Sequence, residues 1–156
     1  NKFSFTKSII SRPAEIEVEV TSSDRQIKAF GSITLDPVEP KVVLYENNPL
    51  YGIIYEKAAI DNFKMNGSEI TLSATPYFFG LEEMGNGKIK YNWNMNGQNI
   101  NNKQDSRGIT FRNTEGGSGS TRISVDLQND EKELQSGRTN VLLNFEGGRS
   151  NKTVNF

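Results

Sequence analysis

The 156-residue sequence contains no cysteine and no histidine. The first absence removes disulfides, cysteine nucleophiles and thiolate metal sites. The second removes the commonest general base and the commonest zinc ligand. A Ser-His-Asp or Cys-His enzyme is therefore excluded, while carboxylate pairs, lysine nucleophiles and oxygen-ligated calcium stay open. Apolar residues make up only 34% of the chain. No apolar run approaches the ~20 residues of a membrane helix, so no membrane insertion is expected in this segment. Nothing resembles a signal peptide, which fits either a segment of a longer protein or a mature secreted chain. Eighteen Lys and Arg against 19 Asp and Glu leave a net charge of −1 and no basic stripe, so nucleic acid is not an expected partner.

What is present reads as short strands. The only tryptophan lies in Tyr91-Asn92-Trp93-Asn94-Met95-Asn96-Gly97-Gln98, where apolar and polar residues alternate up to an Asn-Gly turn. Tyr91, Trp93 and Met95 share one face, and a lone inward Trp is a common centre for a β-sandwich core. Ala14 to Val20 alternates as well, with Ile16, Val18 and Val20 on one face and Glu15, Glu17 and Glu19 on the other. Further strands are expected at Phe3–Phe5, Ala29–Leu35, Lys41–Tyr45, Leu50–Tyr55, Glu69–Ala74, Ile109–Phe111, Thr121–Leu127 and Val141–Phe145. Glu56 to Phe63 reads as a helical turn or a loop, Gly80 to Gly87 as a Gly-rich loop, and Asn99 to Gly108 as a polar connection. Val154 and Phe156 end a polar tail that docks or frays. The fold class is all-β, an antiparallel sandwich.

The two ends of the chain are alike. Phe3-Ser4-Phe5 matches Ile109-Thr110-Phe111, Glu15–Val20 matches Arg122–Leu127, Ser22-Ser23-Asp24 matches Gln128-Asn129-Asp130, and Ile33–Leu35 matches Val141–Leu143. A near-constant offset of about 107 residues points to one structural unit used twice. Asp36-Pro37-Val38-Glu39-Pro40 is stiff and poor in donors, and it marks the domain boundary. Residues 1–38 are then the C-terminal strands of a first, truncated domain, and 39–156 a complete second one. The unpaired N-terminal strands are expected to pack on the complete domain or to find a second chain as a dimer.

The Trp strand, with Gly67-Ser68-Glu69-Ile70-Thr71-Leu72-Ser73-Ala74 before it and the Gly-led strand Gly119 to Asn129 after it, resembles immunoglobulin-like and PKD-like domains of bacterial surface proteins. The Asp-Gly pairs of many PKD repeats are absent. The resemblance implies an Ig-like sandwich, an extracellular cell-surface location and neighbouring Ig-like domains of the same chain as partners. It also implies a non-catalytic role as spacer or adhesive stalk in a tandem array.

The alternative is a carbohydrate- or protein-binding module, with a glycan or another protein as partner. Its candidate contacts are Tyr51, Tyr55, Tyr77, Phe78 and Phe79, provided they form an exposed aromatic patch; core packing is the competing role. No cofactor is expected. Calcium could be held only by loop carboxylates, Glu82-Glu83 or Asp130, Glu131 and Glu133, which lack EF-hand spacing and are otherwise simply solvated. A glycosidase carboxylate pair has no motif context. A Lys–Asn isopeptide crosslink would need Lys88 or Lys90 turned inward beside Trp93. Asn66-Gly67-Ser68 and Asn151-Lys152-Thr153 match the N-glycosylation triplet, a coincidence expected of an Asn-rich chain.

Overall fold

The computed structural model describes residues 13–100, 107–114, 116–132 and 135–147. In chain order the elements are β1 (Ala14–Thr21), β2 (Lys28–Leu35), β3 (Lys41–Asn48), β4 (Gly52–Ala58), β5 (Asp61–Lys64), β6 (Glu69–Tyr77), the single helical turn α1 (Leu81–Gly85), β7 (Ile89–Met95), β8 (Gln98–Ile100), β9 (Gly108–Arg112), β10 (Gly119–Asn129) and β11 (Ser136–Phe145). They fall into two compact units, 1–39 and 40–156. The expected strand at Phe3–Phe5, the Val154–Phe156 tail and Asn151-Lys152-Thr153 lie outside the described residues.

The second unit is a two-layer sandwich. One sheet has the order β4-β3-β6-β9 and the other β5-β11-β10-β7-β8. All pairs are antiparallel except β5 with β11, where 61–64 run parallel to 141–144. This is immunoglobulin-like topology: β6, β7, β10 and β11 stand where strands B, C, F and G do, and the tryptophan is on the C-like strand. Alternation dictates the layering. Val42 and Leu44 of β3, Ile70, Leu72 and Ala74 of β6, Trp93 of β7, Ile123, Val125 and Leu127 of β10, and Val141 and Leu143 of β11 all turn inward and are buried. Trp93 is 1% exposed, and Val125, directly opposite it on β10, is 0% exposed. Gly137 lets the layers close, because a Cβ there would sit 2.9 Å from Val42 Cγ2 and 3.5 Å from Phe79 Cζ.

Three stretches differ from the sequence reading. Glu56 to Phe63 is neither helix nor loop: it holds the end of β4 and the start of β5. The Ala59/Phe63 spacing imitates a helical stripe, but the Ala59 N–H donates to the Leu44 carbonyl at 2.7 Å, and Phe63 pairs alongside Leu143. Ladder bonds available at a sheet edge outweigh a weak local preference. Within Gly80 to Gly87, Leu81-Glu82-Glu83-Met84 are good helix formers and close one turn. The polar stretch after Gly97 hides β8. Asn96 (φ 51°) and Gly97 (φ 84°) form the left-handed pair of a two-residue hairpin and set Ile100 against Trp93.

In the first unit, β1 and β2 form an antiparallel hairpin, in which Ile16 faces Ile33, Val18 faces Gly31 and Val20 faces Ala29. Ile123 faces Val141, Val125 faces Thr139 and Leu127 faces Gly137 in the β10–β11 hairpin. The sequence match of Ile16 with Ile123 and of Ile33 with Val141 thus reproduces one ladder register in the other. The turns close alike: the Ser22 N–H donates to the Ile27 carbonyl at 2.9 Å, and the Asn129 N–H donates to the Gln135 carbonyl at 3.1 Å. Asn129 is fully buried; its Nδ2 donates to Gln135 Oε1, and its Oδ1 accepts from the Glu131 N–H. In the first hairpin Ser22 Oγ accepts from the Ile27 N–H, and Asp24 holds the turn from Ser22 and Gln26.

Leu72 is fully buried at the centre of the core. Leu72→Ala is expected to cost about 2–5 kcal/mol of the second unit's stability, through lost transfer energy and the cavity left behind. Urea unfolding followed by the single tryptophan's fluorescence measures it directly.

Candidate functional site

Alternation places Val43 and Tyr45 of β3 on the outer face of the four-stranded sheet, opposite the core-facing Val42 and Leu44. Tyr45 is nevertheless buried, at 8% exposure, and lies outside the core cluster. Two aromatic neighbours account for its burial. Its ring meets Tyr55 of β4 edge-on, with centroids 5.2 Å apart and planes at 63°. Its hydroxyl lies 3.0 Å from that of Tyr77 at the end of β6. Edge-to-face packing and a shared hydroxyl contact suit tyrosine, which buries its ring while its OH keeps a partner.

The five candidate aromatics therefore separate. Tyr55 and Tyr77 join one cluster through Tyr45. Phe78, at φ 63°, turns the chain and stays exposed, whereas Phe79 turns inward and is a core residue at 6% exposure. Tyr51 is exposed in the β3–β4 turn, the opposite end of β3 from Lys41, which pairs with Tyr77. At ~3.3 Å per residue, β3 separates those ends by about 20 Å. The single patch of five is thus a cluster of two with outliers. Sequence reasoning missed Tyr45, whose outward position was legible from the alternation of Lys41 to Tyr45.

Beside the cluster, β9 pairs only with the first half of β6, from Glu69 to Ser73. The second half of β6 borders a groove of about 490 Å³ lined by Ile53, Tyr55, Thr75, Leu81, Tyr91 and Arg107, among others. Arg107 is anchored there by a 2.9 Å bond from its Nη2 to the Met84 carbonyl. Leu81, 84% exposed, forms an apolar lip on α1. In such a groove aromatic faces can stack on a ligand while the fixed guanidinium donates hydrogen bonds to it.

The charged candidates lie elsewhere. Lys88 pairs with Glu131 and Lys90 with Asp130, each at 2.9 Å, on the outer surface around β7 and the β10–β11 turn. Both lysines considered for a crosslink therefore point away from Trp93, and two of the five carboxylates considered for calcium, Asp130 and Glu131, hold ammonium groups. Glu131 also holds the Lys88 ammonium above its ordinary pKa, by hydrogen bond first and charge second. Glu82 is exposed on α1, while the Glu83 side chain and Glu133 lie outside the described residues. Among the described residues, no group of three or more Asp or Glu gathers as a metal site would require. Asn66 is exposed in the β5–β6 turn.

No protein-family model matches the sequence, and no curated protein matches it. Among solved structures it is similar to fibronectin(III)-like modules of Clostridium thermocellum CbhA, at 15% identity over 83% of this chain and 60% of that one, with a TM-score of 0.35. It is also similar to immunoglobulin domains 1–4 of Sidekick-1, at 13% identity over 86% of this chain and 43% of that one, with a TM-score of 0.39. The chain thus spans less than two thirds of either neighbour's length. Its own strand order and the buried tryptophan on the C-like strand make it an all-β, immunoglobulin-like sandwich.

The Tyr45 contact, then burial, raises the Tyr77 phenol above its ordinary value of 10.0. A raised phenol favours the neutral form in the folded state. Its contribution to stability is therefore complete below pH 10 and is lost as pH climbs through the folded value. Ultraviolet titration of tyrosinate should show a late-ionising group that disappears in Tyr77→Phe and shifts down in Tyr45→Phe.

Proposed function

We propose that this chain is a non-catalytic structural module of a bacterial cell-surface protein, a spacer or stalk element in a tandem array of immunoglobulin-like domains. The observation that carries this reading is the repeated hairpin: β1–β2 and β10–β11 share ladder register and turn closure, with a Pro-spaced segment between the first hairpin and the sandwich. A chain that uses one closing hairpin twice is built as a series of domains. The Asp36-Pro37-Val38-Glu39-Pro40 segment is short and stiff, as a rod of stacked sandwiches requires.

The strand geometry suits a spacer under tension. Force enters the sandwich at β3 and leaves at β11. β3 is held along six residue pairs to β6, and β11 along four to β5 and ten to β10. Pulling along these strands loads the ladders in shear, so that their bonds resist together rather than one by one. A single-molecule pulling experiment on the sandwich should give one force peak releasing roughly 350 Å of chain, at ~3.3–3.6 Å per residue. Extension without a resolvable peak would count against a tension-carrying spacer.

A second reading, a carbohydrate- or protein-binding module, is favoured by the Tyr45–Tyr55–Tyr77 cluster and the adjoining groove with Arg107. Here an oligosaccharide library should yield a ligand whose affinity drops about tenfold or more in Tyr55→Ala, as loss of one stacked ring worth ~1.4 kcal/mol predicts. A library without a single binder removes the glycan form of this reading.

A further inference from the structure

The residues that match across the two hairpins differ sharply in surroundings. Ile123, Val125 and Val141 are 0% exposed, and Leu127 and Leu143 are 1% exposed, whereas Val18 is 55%, Val20 60% and Ile33 58% exposed. Register places Ile16, Val18, Val20, Ala29, Gly31 and Ile33 on one face of β1–β2, with Glu15, Glu17, Glu19, Thr21, Lys28, Ser32 and Thr34 on the other, where the exposed Phe30 is the one large apolar side chain. Glu19 on that polar face is paired with Lys28 at 2.8 Å. Phe30 apart, the hairpin is therefore amphipathic in the sense of a sandwich strand pair, and Val18, Val20 and Ile33 on its apolar side are exposed.

The β10–β11 hairpin shows what such a face is covered by. β7 lies antiparallel along the free edge of β10, β5 lies parallel along the free edge of β11, and the sheet containing β3 and β6 stacks on the apolar side. All those strands precede β10 in the sequence. A second copy of the hairpin is a poor substitute. Eight residues per strand and two strands give a face of about 25 by 10 Å, roughly 250 Å², against the ~800 Å² per partner of a stable interface.

We propose that β1–β2 is the closing hairpin of a second sandwich, whose remaining strands come from the polypeptide on the N-terminal side of Ala14. The occupant is a set equivalent to β3–β9. It has a strand to lie antiparallel along β1, a strand to lie parallel along β2, and an apolar sheet to cover Val18, Val20 and Ile33. This rests on the tandem reading for the source of the strands, and on the two ladders for their arrangement.

The cysteine-free sequence makes the test direct, because one introduced thiol is the only thiol among these 156 residues, and any cysteine in an upstream extension is replaced by serine. Val18→Cys, with Ile33→Cys as a second variant, should react with N-ethylmaleimide at the rate of a free thiol in the 156-residue chain. In the parent polypeptide extended upstream by one repeat, both should slow about 100-fold or more, into the range of Val125→Cys, since a core thiol reacts only through local opening. Glu17→Cys, on the polar face, should stay fast in both. Unchanged fast labelling of Val18→Cys in the extended chain would overturn the proposal and leave the force response of the sandwich untouched. Protection in the 156-residue chain that grows with protein concentration would assign the face to a second copy and overturn it as well.

Discussion

Everything in the sandwich depends on one cross-strand pair. Trp93 on β7 and Val125 on β10 lie opposite each other in the middle of the five-stranded sheet, both out of contact with water. The chain has one indole to spend on its core, and β10 is the strand that holds it from beside. The same strand pairs with β11 on its other side, so β10 joins the tryptophan to the last strand, and β11 in turn fixes β5. A slip of one residue between β7 and β10 would turn Ile123, Val125 and Leu127 outward together. The Asp130 N–H donates to the Lys88 carbonyl at 3.0 Å and ties the end of β10 to the start of β7. The bonds of the fully buried Asn129 to Gln135 and Glu131 fix where β10 turns into β11.

Strands with a polar face were legible in the sequence, and so was the core. Thr121 to Leu127 and Tyr91 to Met95 alternate strictly, because each has one face on apolar side chains and one in water, and Glu15 to Val20 alternates in the same way with Val18 and Val20 of its apolar face exposed. The reading failed where pairing rather than pattern decides. β5 is four residues long and exists through its bonds to β11, a partner some 80 residues away that no local window contains. β8 is three residues long and polar, and only the Asn-Gly dipeptide before it announces a hairpin.

The candidate site shows the same division. Phe79 could not be told from Phe78 by composition, since the left-handed Phe78 backbone, φ 63°, decides which ring turns inward. Tyr45 was visible as outward-facing, but its burial by Tyr55 and Tyr77 follows from the β4–β3–β6 pairing. Hydroxyl contacts and T-shaped rings are products of register, and sequence periodicity carries register only when the partner strand is known. The carboxylates of the β10–β11 turn and the lysines at the start of β7 form ion pairs for the reason charged surface groups generally do: opposite charges stand on neighbouring segments.

Gly137 has a consequence for how such a protein avoids misassembly. Two hairpins with one ladder register, carried on a single polypeptide, are exchangeable parts during folding, and swapping between similar neighbours is a known failure of repeated domains. By register, the residue of the first hairpin that would occupy the place of Gly137 is Ala29. Its methyl group would fall 2.9 Å from Val42 Cγ2, on a side chain that is itself buried and stiff at its first torsion. One hydrogen atom in place of a methyl thus acts as a key. The slot between β7 and β5 accepts the hairpin that follows it in the chain and resists the one that precedes it.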